Sequence, residues 1–223
     1  MSAVTIRDYT DPGCPVAFSA EGERLRLLWR YGDQIAWEPR MSVLRPQRGE
    51  GWPHEPGSDA TIHACRAVVA ARLRWPDRRD AFLRRLRVLA MAGELLDDSD
   101  TLEIAAGQAG LPVAEIAAFC AEPEVEAALR AESEAAPPAP AYEIVAGATT
   151  VRLHGLPAVQ TAEAALAELR LERRADPASA ADVLAWAGMP MTTGEVAAVC
   201  GRDVRAAELE HVARSTDGYW HLT

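Results

Sequence analysis

Residues 11–15 read Asp-Pro-Gly-Cys-Pro, and this stretch limits the local structure of the chain more tightly than any other. A strand-like run, residues 3–9, leads into it, and an amphipathic run leads out. Asp-Pro-Gly is turn chemistry. Pro15 suits the first position of a helix, where its missing N–H costs nothing. The thiol of Cys14 is therefore expected at a strand-to-helix turn. There the partial positive charge and unpaired N–H groups of a helix start favour thiolate over thiol. Position 17, where a C-x-x-C pair would place its second cysteine, is alanine.

The pattern of elements extends from this turn. Phe18, Gly22, Leu25 and Trp29 recur at i, i+4, i+7 and i+11, one face of a helix that Tyr31-Gly32-Asp33 stops. Gln34 to Met41 reads as a second strand, and Pro39 pushes it toward an edge or a bulge. A β-α-β unit makes the two strands a parallel pair. Residues 45–60 read as a Pro- and Gly-rich loop. A helical block follows. Ile62, Cys65, Val69 and Leu73 share one face, and Phe82, Leu86 and Leu89 mark a second helix. Asp100-Thr-Leu-Glu103 has the form of a capping box opening a third, with two short helices over 113–120 and 124–134. After Ala135-Ala-Pro-Pro-Ala-Pro140, Tyr142–Val145 and Thr149–Leu153 read as a hairpin, and a helix is expected from Thr161 to about Arg174.

Residues 177–223 carry a different pattern: helices over 179–187 and 203–213, a capping box at Thr192-Thr-Gly-Glu195, and a terminal strand at Tyr219–Leu222. This suggests a small winged-helix-like C-terminal module. The tail has three arginines against six carboxylates, the wrong sign for a nucleic-acid reader. Packing on the first domain or holding a protein partner suits it better.

Composition narrows the class. The 223 residues carry a formal charge of −10, and every one of the 23 basic residues is arginine. An acidic balance argues against nucleic acid. No run approaches a membrane span, and the N-terminus lacks the apolar core of a signal peptide, so the cytoplasm is the expected compartment. Cys14, Cys65, Cys120 and Cys200 are spaced for neither zinc nor a secreted disulfide framework, and no metal is expected.

The stretch Tyr9-Thr-Asp-Pro-Gly-Cys-Pro15, with Ala64-Cys-Arg-Ala-Val68, resembles the DsbA/FrnE-like branch of the thioredoxin superfamily, over roughly residues 3–172. The resemblance implies an α/β thioredoxin fold over residues 1–175 with a helical insertion at about 58–134. It also implies a cis-proline facing the thiol; Pro140 matches that position, with Ala139 before it. Asp8, six residues before Cys14, matches the buried carboxylate that serves the resolving thiol in thioredoxins. An interior strand aspartate would have a raised pKa and could act as a base. With no resolving thiol to serve, the plainer reading of Asp8 is an exposed strand residue beside Arg7.

The implied activity is thiol–disulfide exchange by one nucleophile, Cys14, in a mixed disulfide that an external thiol resolves. That thiol is glutathione, mycothiol or a protein cysteine, with no tightly bound cofactor. Pro15, Phe18, Ala139 and Pro140 are expected to shape the substrate groove. Two alternatives stand beside this one: a thiol-dependent isomerase or transferase, and a non-catalytic binding module. The second expects a Cys14 that is buried or has an ordinary thiol pKa. Cys65, Cys120 and Cys200 read as core packing. His54 and His63 are candidate neighbours of Cys14 that read more simply as solvated. The arginine-rich stretch from Arg66 to Arg87 reads as the outer face of two helices, and Asp97-Asp98-Ser99-Asp100 as a loop with a helix cap rather than a calcium site.

Overall fold

The computed structural model describes residues 4–43, 60–137, 141–155 and 159–222. The first strand, β1 (Val4–Thr10), runs into the Asp-Pro-Gly turn. Two helices follow where the periodicity predicted one: α1 (Pro15–Ser19) and α2 (Glu21–Tyr31), which meet at Ala20. Gly32, at φ 52°, ends α2, and a single 3₁₀ turn leads into β2 (Ile35–Met41). β1 and β2 pair in parallel, and β2 is the sheet edge, which accommodates Pro39.

Five helices come next: α3 (Ala60–Arg74), α4 (Pro76–Met91), α5 (Ser99–Gln108), α6 (Val113–Phe119) and α7 (Pro123–Ala135). The cap of α5 is Asp98, whose carboxylate accepts from Thr101 N, and not the expected Asp100. β3 (Ala141–Ala146) and β4 (Thr149–His154) then form the expected hairpin, with Gly147 at φ 58° in its two-residue turn. The helix α8 (Val159–Glu168) starts before Thr161 and stops short of Arg174. The sheet order is β2-β1-β3-β4, with β3 antiparallel to both neighbours. That is the order expected for a thioredoxin fold.

The last part of the chain holds α9 (Ala180–Ala187), β5 (Met191–Thr192), α10 (Thr193–Cys200), α11 (Ala206–Glu210), β6 (Ala213–Thr216) and β7 (Tyr219–Leu222). The three strands form a small antiparallel sheet in the order β5-β7-β6. The predicted helix over 203–213 is shorter, because Ala213 to Thr216 pairs with the terminal strand.

Three apolar clusters hold these parts. One lies inside the helical block, around Val68, Phe82, Leu86 and Leu129. A second lies against the sheet, where Ile6 and Ile144 meet Leu27 and Tyr31 of α2 and Leu166 of α8. The third joins Leu25 and Trp29 of α2 to Val183, Val196, Leu209 and Trp220 of the tail. α2 is thus apolar on two sides, one for the sheet and one for the C-terminal elements. The contact with α10 is close. A Cβ on Gly22 would lie 2.9 Å from the Ala198 Cβ, so only glycine lets the two helices approach this far.

Candidate active site

The turn after β1 is fixed by the side chain of Asp11, which is fully buried. Its Oδ1 accepts the Gly13 N–H at 2.7 Å, and its backbone carbonyl accepts the Cys14 N–H at 3.1 Å. The Cys65 thiol, on α3, donates to Asp11 Oδ2 at 3.7 Å. Above the turn, the Thr61 methyl sits where a side chain at position 13 would be: a Cβ there would lie 2.8 Å from Thr61 Cγ2. Gly13 is needed for space, not for an unusual backbone angle.

Cys14 is the N-cap of α1, in extended conformation, with Pro15 at the first helical position. The Ala17 N–H donates to Cys14 Sγ at 3.4 Å. A cysteine sulfur thus takes the place that a serine or aspartate oxygen usually holds at a cap. A donor aimed at sulfur suits a thiolate, the nucleophilic form. Cys14 itself is only 4% exposed. Pro15 and Val16 are exposed beside it and Phe18 is half-buried. Ala139 and Pro140 lie outside the described residues, as does His54.

Asp8 is buried, at 5% exposure, which corrects the reading of an exposed residue beside Arg7. Residues alternate along β1, and the Asp8 side of the strand faces α2 and α4. In register it lies between Pro39 and Tyr142. The Trp37 indole N–H donates to its Oδ2 at 3.3 Å, and the Arg87 guanidinium stands 4.0 Å away. Burial pushes the Asp8 carboxyl above its ordinary range, and Arg87 and Trp37 oppose this without cancelling it.

A network of charges surrounds Asp8. Arg87 of α4 donates to Glu21 Oε2 at 2.9 Å and to the Thr10 hydroxyl at 2.6 Å. Glu21 also accepts from Arg24 at 2.7 Å and lies 3.6 Å from Arg84. Burial alone would raise the Glu21 pKa, but Arg24, Arg87 and Arg84 outweigh it and hold it at about 2. Arg84 in turn pairs with Glu195 of α10. Arg84 and Arg87 are therefore buried ion-pair partners, not part of a solvated face, while Arg74 and Arg78 are exposed as expected. Sequence reading missed them because their carboxylate partners come from α2 and α10, far away in the chain.

The remaining cysteines divide. Cys65 is fully buried, and burial, then Asp11, pushes its thiol well up, so it is held as the neutral, inert form. Cys200 is buried as well. Cys120 is half-buried at the end of α6, packed against the core of the helical block, and burial pushes its thiol up to about 11. His63 is exposed on α3. Among the described residues no group of His, Cys, Asp and Glu is placed to hold a metal ion, and no helix is long and apolar enough to cross a membrane.

No protein-family model matches the sequence, nor does any curated protein. Solved structures do match. A Nitrosomonas europaea protein, described as a candidate protein disulfide isomerase, superposes with a TM-score of 0.62 at 13% identity, over 75% of this chain and 97% of its own. The cytosolic disulfide reductase DsbM of Pseudomonas aeruginosa gives 0.57 at 18%, over 75% and 99%, and has also been solved with GSH. A Streptomyces coelicolor protein described as a candidate DsbA oxidoreductase gives 0.56 at 18%, over 77% and 92%. These structures are matched over nearly their whole length, while about a quarter of this chain has no counterpart in them. The protein has the thioredoxin fold of the DsbA-like oxidoreductases.

Proposed function

We propose that the protein is a thiol–disulfide oxidoreductase that works through Cys14 alone. The observation that carries this is the Cys14 sulfur at the cap of α1, accepting the N–H of Ala17, with no second thiol at position 17. The Cys14 thiolate attacks one sulfur of a substrate disulfide. The S–S bond breaks, a Cys14 mixed disulfide forms, and the other half leaves as a thiolate that takes a proton from solvent. An external thiol then attacks the substrate sulfur of the mixed disulfide. Cys14 is released, and the electrons stay balanced as one disulfide exchanged for another.

A low-molecular-weight thiol, glutathione or mycothiol, suits the second step, and the DsbM structure with GSH supports that choice. Asp8, on β1 before the turn and with its carboxyl pushed up by burial, is assigned in this reading as the group that relays the proton between solvent and the leaving thiolate. Pro15 and Phe18 are assigned to the substrate groove beside the sulfur; Ala139 and Pro140, assigned to it from the family resemblance, lie outside the described residues. The substrate is a small or protein disulfide, and the reducing cytoplasm supplies the resolving thiol. Residues 177–223 act as a winged-helix-like brace on α2, not as a nucleic-acid reader.

One observation favours a second reading. Cys14 is 4% exposed, as a non-catalytic binding module would have it. Exposure to oxidised glutathione, with Cys14→Ser as control and mass spectrometry as the readout, separates the two. The oxidoreductase reading expects a Cys14 mixed disulfide that added thiol resolves. No adduct at Cys14 would leave the binding module.

A further inference from the structure

A surface hollow with an apolar floor leaves that floor facing water, and a ligand that covers it gains the hydrophobic effect. One such hollow opens between α3, α5 and α6, with a volume of about 270 Å³. Its floor is apolar and buried: Ala67, Phe82, Ala106 and Ile116. Alanines stand at two floor positions where leucine or isoleucine would close the space. It lies on the side of α3 that carries His63, Arg66 and Ala67. Successive helical residues turn by about 100°, so Thr61 and Cys65, which face the Asp-Pro-Gly turn, are on the opposite side.

The rim decides what kind of molecule fits. Its one permanent cation, Arg66, is already paired with Glu126 at 2.8 Å. His63 and Ser99 offer hydrogen bonds, and Glu103 is an exposed carboxylate. A negative headgroup would meet Glu103, and a positive one the Arg66 guanidinium. Arg66 is already neutralised, so an anion finds no free counterion, and a cation gains only a solvent-exposed pair with Glu103, which stabilises little. With about 30 Å³ per water-sized group, the hollow takes roughly nine non-hydrogen atoms.

The geometry points to a binding site for a compact, uncharged apolar molecule of about this size, its polar atom at the rim beside His63 and Ser99. The site uses no residue of the Cys14 turn, so it stands whether or not Cys14 is catalytic. Half-buried Cys120 lines the wall and reports on occupancy.

The test is protection of Cys120 from a small alkylating reagent in the intact protein, read by peptide mass spectrometry. 1-Octanol and indole are the probes; octanoate and octylamine are their charged counterparts. Saturating octanol or indole is expected to slow Cys120 labelling at least fivefold, with little effect from either charged probe. Ala117→Phe, at an exposed rim position, is expected to block the hollow without disturbing the core and to remove the protection. Ala106→Leu, filling the floor, is expected to do the same and to raise the melting temperature. No protection by either neutral probe, or protection that persists in both variants, would overturn the site. Equal protection by the charged probes would overturn its selectivity for uncharged molecules.

Discussion

Glu195 and Arg84 join the C-terminal elements to the helical block through a buried two-point contact. Arg84 donates to Glu195 Oε1 at 2.6 Å and Oε2 at 2.9 Å. The same carboxylate accepts the Thr192 N–H at 2.7 Å and so completes the capping box of α10. A third Arg84 bond goes to the Pro190 carbonyl at 2.8 Å. One glutamate therefore starts a helix and anchors it to α4.

Removing one member of a buried pair leaves the other charged and unpaired, which costs about 3–5 kcal/mol. Glu195→Ala is expected to lose stability in that range, read as a lower urea midpoint. The double variant Glu195→Leu with Arg84→Met removes both charges and is expected to recover most of the loss. If the double variant is no better than the single one, the pair is not the source of the effect.

Glu21 should dominate acid sensitivity. Its pKa of about 2 in the folded protein lies below the 4.5 of a free glutamate. The unfolded chain binds the proton more readily, so this stability is complete above pH 4.5 and is lost as pH falls toward 2. The depression corresponds to about 3 kcal/mol, at 1.36 kcal/mol per pH unit. Glu21→Gln is expected to lower stability at pH 7 and to flatten the fall between pH 4.5 and 2. Denaturation midpoints across that range check both.

Asp8 has the opposite sign. Its folded pKa is raised, so the native state holds the proton more tightly than the unfolded chain. Stability contributed by this group is present at acid pH and falls as pH rises from 3.8 through the raised value. Asp8→Asn keeps an acceptor for Trp37 and removes the ionisation. It is expected to raise the melting temperature at pH 7, with the gain vanishing near pH 4. An unchanged melting temperature at pH 7 would mean that Asp8 is ionised at no net cost.

The Gly13–Thr61 contact predicts a suppressor. Gly13→Ala forces a methyl to within 2.8 Å of Thr61 Cγ2, and overpacking of this kind costs about 1–3 kcal/mol. Thr61→Ser removes that methyl. Gly13→Ala in the Thr61→Ser background is expected to cost less than half as much as in the wild-type chain. Strict additivity in a double-mutant cycle would show that the crowding arises elsewhere.

Much of the fold was legible because it rests on local chemistry. Asp-Pro-Gly-Cys-Pro fixed a turn, Gly32 a helix stop, Pro39 an edge strand, and Thr192 with Glu195 a capping box. What was illegible depends on partners distant in sequence. Asp8 looked as if Arg7 would expose it, but Arg7 pairs with Glu143 and leaves Asp8 to the other side of the strand. Arg84 and Arg87 resembled their solvated neighbours, since nothing beside them in α4 announces Glu21 or Glu195. The strand Ala213–Thr216 was missed, with Ala213 read as the end of a helix, because the strand that captures it comes only after the turn. The Cys14 cap was visible from the motif; its burial, which depends on tertiary packing, was not.

The double-sided α2 also has a consequence for synthesis. Leu25 and Trp29 leave the ribosome well before the residues that cover them, which run as far as Trp220. At about 5–20 residues per second, that face waits roughly 10–40 s for its cover. The nascent chain therefore carries an exposed apolar helix face throughout that interval, a surface for chaperones to hold until Val183 to Trp220 close over it.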